Sequence, residues 1–126
     1  MSPVCTEHPI LDLTVLIEMY GDDSRETIHN ALSGFMQSAP KYINTILDAS
    51  ANQQLAALAS AAHSLKSIAA LIGANQLAEM CRQLEESARM AEWQRLASIL
   101  QTLPESWLRL QQQLGEQLQQ LERSDG

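Results

Sequence analysis

One stretch of this 126-residue chain carries residue types able to do chemistry at a useful spacing: Ala61-Ala62-His63-Ser64-Leu65-Lys66-Ser67. A neutral imidazole is a competent nucleophile near neutral pH, because a pKa of about 6.5 leaves one ring nitrogen with a free lone pair. Read as a helix, the stretch places Leu55, Leu58, Ala61, Leu65, Ile68 and Ile72 at three- and four-residue intervals, which makes one apolar stripe. At roughly 100° per residue, His63 lies about 140° from Leu58 and Ile68 and about 180° from Ile72, so it points away from the core.

The neighbours of His63 on its own face are Ala56, Ala59, Ser60, Ser67 and Ala70, all within about a sixth of a turn and all small. A solvated helix face is normally filled with long charged side chains that would fence the ring off. This one is open, so Ala56, Ala59, Ser60 and Ala70 form a face on which a partner can dock. Lys66, at i+3, brings a flexible ammonium within reach of an anion held at the ring. Geometry alone leaves His63 one of three histidines, and an exposed histidine usually has no task. His8 and His29 lack the small-residue collar and are read that way. No second His, Cys or carboxylate stands at i+3 or i+4 from His63, which disfavours a metal site.

His63, Leu65, Lys66 and Gly73, followed by Leu77, Cys81, Leu84, Glu85 and Arg89, resemble the two-helix signature of the histidine-containing phosphotransfer (HPt) domain. That family's pattern runs His-x-Leu-Lys-Gly, a further glycine ten residues after the histidine, then Leu-x-x-x-Cys-x-x-Leu-Glu-x-x-x-Arg. Ser67 departs from it, standing where the family usually has Gly. The resemblance implies that His63 accepts a phosphoryl group from a response-regulator receiver aspartate and passes it to another. It also implies that Lys66 steadies the phosphate, that Glu85 and Arg89 support the site from the next helix, and that Mg²⁺ belongs to the receiver, with no cofactor of the chain's own. The hydroxyl of Ser67 either bonds a phosphoryl oxygen or is a small helix residue with no further role.

The elements that must position His63 read as helices, since Ala, Leu and Gln are abundant and aromatics make up 4% of the chain. Residues 1–9 hold two prolines and no periodicity and read as a flexible lead or linker. Ile10, Leu13, Leu16, Ile17 and Tyr20 suit a short capping helix, with Asp12 as its N-cap and Gly21 as its stop. Asp23 and Glu26 then resemble a capping box opening a helix that buries Ile28, Leu32, Phe35, Ala39, Ile43 and Ile46, with Pro40 predicting a bend or a brief break. Asn52 is the expected cap of the His63 helix and Gly73 its left-handed stop. The next helix, about 74–90, buries Leu77, Met80, Cys81, Leu84 and Ala88. The last, about 92–121, alternates Leu96, Leu103 and Leu110 with Leu100, Trp107, Leu114 and Leu121, with Pro104 expected to kink or restart it. Trp93 and Trp107 read as core or core-edge packing. The expected architecture is all-α: an antiparallel up-down four-helix bundle over residues 10–122 with a short N-terminal capping helix and a polar tail, 123–126.

Composition narrows the partners. A formal charge of −7, with 8 Lys and Arg against 15 Asp and Glu, offers no basic stripe for nucleic acid and disfavours acidic membrane surfaces. No apolar run approaches the ~20 residues that span a bilayer, and two cysteines, Cys5 and Cys81, make no disulfide framework, so a cytoplasmic monomer is expected. No Gly-rich nucleotide loop is present, which argues for a phosphoryl carrier rather than a kinase. The proline-containing lead resembles an interdomain linker, as in the carboxy-terminal module of a hybrid sensor kinase, whose parent kinase is then a further partner. The competing reading is a non-catalytic helical adaptor that binds a signalling partner through the same face.

Overall fold

The computed structural model describes residues 25–123, and the side chains of 26–121. The predicted lead (1–9), the capping helix Ile10–Tyr20 with its stop Gly21, Asp23 of the capping box, Cys5, His8 and the residues after 123 lie outside the described residues. Four helices follow one another: α1 (Arg25–Ala51), α2 (Leu55–Leu71), α3 (Asn75–Arg89) and α4 (Trp93–Arg123), with no strand among the described residues. Arg123, assigned to the polar tail from sequence, ends α4. Links of three residues hold chain neighbours antiparallel, and α1 packs against α4 to close the ring. The expected four-helix bundle is the fold.

The helix-forming pattern of α1 is followed closely: Ile28, Leu32, Phe35, Ala39, Ile43 and Ile46 are all buried. Neither proline interrupts its helix. α1 runs 27 residues through Pro40 and α4 runs 31 residues through Pro104, so each costs a backbone hydrogen bond but no break. Trp107 packs at the core edge against Phe35, ring centroids 6.0 Å apart and tilted 60°. Trp93, expected to pack likewise, is 40% exposed, because at the first residue of α4 it has no preceding turn to pack beneath.

All three links end their helices the same way. The amides of Gln54, Ala74 and Glu92 donate back to the carbonyls of Ala49, Ala69 and Ser87 at 2.8–2.9 Å, while Gln53, Gly73 and Ala91 donate to Ser50, Ala70 and Ala88 at 3.2 Å. This double bond pattern requires a left-handed residue at the turn, and φ is 57° at Gln53, 76° at Gly73 and 55° at Ala91. Gly73 is therefore the stop that its position predicts. Asn52 is not the cap of α2: it lies in the turn that ends α1, and Gln54 takes the N-cap position without a side-chain bond.

Burial on α2 is rotated from the predicted stripe. Leu58, Ala62, Leu65 and Ala69 are fully covered, while Leu55 and Ile68 are only half-buried. Four alanines of α2, Ala59, Ala61, Ala62 and Ala69, are buried along with Leu58, Leu65 and Ile72, so the covered face is wider than the predicted stripe. α2 and α3 share the most extensive packing in the bundle, and that closeness positions the site.

Candidate functional site

His63 stands near the middle of α2 with 57% of its side chain exposed, on the side opposite the core, as the helical phase predicts. The ring does not stand alone, however. Glu85, one turn before the end of α3, sets Oε2 and Oε1 at 3.2 and 3.3 Å from Nδ1. The same carboxylate accepts from Lys66 Nζ at 2.7 Å and from Arg89 Nη2 at 2.6 Å. Its side chain is 11% exposed, and a buried acid so placed survives as a charge only with partners of this kind. The Lys66 bond, with smaller contributions from His63 and Arg89, outweighs burial and holds the carboxyl down to about 2.

That ionisation assigns the imidazole's tautomer. A carboxylate without a proton can only accept, so the proton in the contact belongs to Nδ1 and, in the neutral ring, Nε2 keeps its lone pair. Beside the ring lies a depression of about 400 Å³ lined by Ala56, Ala59, Ser60, His63, Ser64 and Arg89.

The sequence-predicted residues divide accordingly. Ala56 and Ser60 are exposed and line the depression. Ala59 lines it too but is 7% exposed, so it is floor rather than open docking face. Ala70 is exposed but does not line it. Lys66 spends one of its three N–H donors on Glu85, and its side chain is 30% exposed. Ser67 donates its hydroxyl proton to the His63 carbonyl at 3.1 Å, and in that rotamer has none left for a phosphoryl oxygen. Gly73 closes α2 from a distance.

Sequence reasoning missed Ser64 as a wall residue and ranked Glu85 too low. The available signal was an acid on the apolar side of its helix, next to buried Leu84 and one turn after buried Cys81. The Cys81 thiol is pushed up to about 12 by burial, in keeping with a small core residue. Among the described residues no cluster of three His, Cys, Asp or Glu side chains could hold a metal ion, and no helix is long and apolar enough to cross a membrane.

Comparison with known proteins agrees with this geometry. The family model of the Hpt domain matches residues 30–124. Among solved structures, histidine-containing phosphotransfer protein B (HptB) from Pseudomonas aeruginosa PAO1 superposes with a TM-score of 0.79 at 27% identity, over 89% of this chain and 96% of that one. A comparison with curated sequences gives no significant match. A four-helix bundle presenting a histidine from its second described helix, matched by the family model over most of its length, belongs to the Hpt domain family of two-component phosphotransfer modules.

Proposed function

We infer that the chain is a phosphorelay intermediate in which His63 accepts a phosphoryl group from a receiver-domain aspartate and delivers it to a second one. The observation that carries this reading is the asymmetry of the ring: Nδ1 is held by an ionised Glu85 in a side chain that is 57% exposed, which leaves Nε2 as the nitrogen outside that contact. The Nε2 lone pair attacks phosphorus, the bond from phosphorus to the aspartyl oxygen breaks, and its electron pair leaves with the carboxylate. No proton has to move. Nδ1 keeps its hydrogen, and the positive charge that develops on the ring is met by Glu85.

Phosphoryl transfer asks for in-line placement and neutralised equatorial charge more than for acid or base groups on this domain. The small side chains of Ala56, Ser60 and Ser64 leave room for a receiver to bring its aspartyl phosphate and its Mg²⁺ up to Nε2. Lys66 contributes charge beside the ring and keeps Glu85 ionised. The domain acts as a carrier, without a nucleotide site of its own, for receivers that include that of a parent hybrid kinase.

The test is incubation with receiver domains phosphorylated on aspartate. Transfer is expected to give an acid-labile, base-stable label, and His63→Gln is expected to lose it while keeping the helical signal, because the glutamine amide can still donate to Glu85. Label retained by His63→Gln would place the acceptor elsewhere.

A further inference from the structure

The three turns of the bundle share one backbone geometry, so the side chains at their matching positions compare directly. Just before the left-handed residue stand Asn52, Ile72 and Met90. Asn52 is polar where its turn is open to solvent, and Ile72 is apolar where its turn is covered. Met90 is apolar and yet 65% exposed, and Trp93, the first residue of α4, is exposed beside it in the chain. Building on the reading of His63 as acceptor, we propose that Met90 and Trp93 are the apolar anchors of the docked receiver domain, set on the α3–α4 turn at the edge of the depression.

The turn itself has no need of these side chains. A helix stop of this kind draws its own apolar contact from the residue after the left-handed one and from the helix's last full turn, here Glu92 with Ser87 or Glu86, and leaves Met90 out. Trp93 takes the place that half-buried Leu55 and Asn75 hold at the starts of α2 and α3. The platform beneath the pair is rigid. Arg95 Nη1 donates to Glu86 Oε1 at 2.9 Å and to Glu92 Oε1 at 3.3 Å, so one guanidinium ties α3 to the turn that the Ala91 and Glu92 amides already close. Anchors held on such a turn lose little backbone freedom when a partner binds.

A receiver is the occupant because the turn continues the depression at His63. Arg89 lines the depression, Met90 follows it, and Met90 lies about 7.5 Å farther along α3 than Glu85, which holds the ring. A protein partner covers about 800 Å² a side, a disc of roughly 16 Å radius, so a receiver centred on His63 reaches the turn. Ala56, Ala59, Ser60 and Ser64 let an aspartyl phosphate close in but offer it little apolar area. Binding energy concentrates in a few large side chains, among which Trp and Met are over-represented. Charge does not replace them: a phosphorylated receiver meets a chain of formal charge −7, so affinity has to come from apolar contact.

The experiment charges the histidine of wild type, M90Q, W93Q and the double variant from two donors: the aspartyl-phosphorylated receiver that reacts fastest with wild type, and phosphoramidate, a small molecule that needs no docking. In single-turnover reactions the double variant is expected to raise the half-saturating receiver concentration about tenfold at an unchanged maximal rate, because an anchor contributes binding and not chemistry. Charging by phosphoramidate should stay at the wild-type rate. The Met90 methyl NMR signal, assigned by its loss in M90Q, should shift when the receiver is added. Where W93Q lowers the melting temperature, M90Q alone decides, since its side chain is the more exposed. A wild-type half-saturating concentration in the variants overturns the proposal, as does a loss shared with phosphoramidate, which traces the effect to a disturbed end of α3. A concentration-dependent mass in sedimentation that the double variant abolishes gives the patch to a second copy of the chain and overturns it too. Failure of wild-type His63 to take label from either donor sinks the acceptor reading itself, a result distinct from all of these.

Discussion

Glu85 of α3 and His63 of α2, 22 positions apart in sequence, meet with 3.2 Å between Oε2 and Nδ1, and this contact decides which ring nitrogen faces the solvent. The carboxylate is nearly covered while the ring is mostly open, so the pair has one fixed member and one presented member. Lys66 and Arg89 keep the fixed member charged from either side.

Glu85→Gln tests that division directly. A glutamine amide offers Nδ1 either an oxygen or an NH₂ group, so the bias toward Nδ1–H weakens and part of the population exposes a protonated Nε2. Ring ¹⁵N shifts at neutral pH should show a mixed tautomer population in the variant and a predominantly Nδ1–H ring in wild type. Receiver-dependent transfer should fall about tenfold or more, since Glu85 also meets the charge that develops on the ring. Unchanged ¹⁵N shifts would remove Glu85 from the mechanism.

The same contact sets an acid dependence of stability. The Glu85 carboxyl is held at about 2 in the fold against 4.5 ordinarily, and a depressed carboxyl stabilises the native state above its unfolded pKa and stops doing so as pH falls through its folded one. Its contribution is therefore complete above about pH 4.5 and fades toward pH 2. Urea titrations should find Glu85→Gln less stable than wild type by on the order of 2 kcal/mol at pH 7, with the gap narrowed by about half at pH 3.

Docking is tested at residues chosen by burial. Ser60 is exposed and lines the depression, Ala70 is exposed outside it, and Ala59 is its covered floor. Ser60→Glu sets a carboxylate where the phosphoryl group must pass, and should slow transfer about tenfold or more with an unchanged melting temperature. Ala70→Glu should slow it less. Ala59→Glu buries an unpaired charge and should lower the melting temperature as well, so it reports on the fold before it reports on docking.

The legible part of this molecule was what helical phase alone determines. The apolar positions of α1 from Ile28 to Ile46, the outward direction of His63 and the stop at Gly73 each follow from residue type and a 3.6-residue repeat. Illegible were features set by the distance between helices. Nothing within α2 reveals how far its neighbours cover its alanines, so Ala59 reads as surface and proves to be floor. Likewise Glu85 is singled out only by the resemblance, as support from the next helix, and its contacts with His63 and Lys66 exist only once α2 and α3 come together. Pro40 and Pro104 each allow a bend or a break, and the break does not occur, since α1 and α4 run through them.

One buried hydroxyl is a liability. The Ser87 side chain is fully covered with no hydrogen-bond partner for Oγ, among the apolar residues of α3. Burying an unsatisfied hydroxyl costs about 1–3 kcal/mol, and alanine fits the same space with a higher helix propensity. Ser87→Ala should raise the urea midpoint, equivalent to about 1 kcal/mol, and leave transfer unchanged, as the residue touches nothing in the depression.

The three helix stops share one hydrogen-bond pattern but differ in residue, and this yields a matched set of stability changes. Gln53 and Ala91 hold φ of 57° and 55°, where a Cβ is strained, while Gly73 holds 76° without penalty. Glycine at a left-handed position relieves about 1 kcal/mol of strain, offset in part by its greater freedom in the unfolded chain. Gln53→Gly and Ala91→Gly should each stabilise the bundle by about 0.5–1 kcal/mol, and Gly73→Ala should destabilise it by about 1 kcal/mol or more. Urea titration with a constant m-value measures all three on one scale. Because the turn at Ala91 fixes the C-terminal end of α3, two residues beyond Arg89, Ala91→Gly should stabilise the fold with the ³¹P resonance of the charged protein in place. A stop that gained stability but moved that resonance would mean that the strained turn helps to hold Arg89 where it stands.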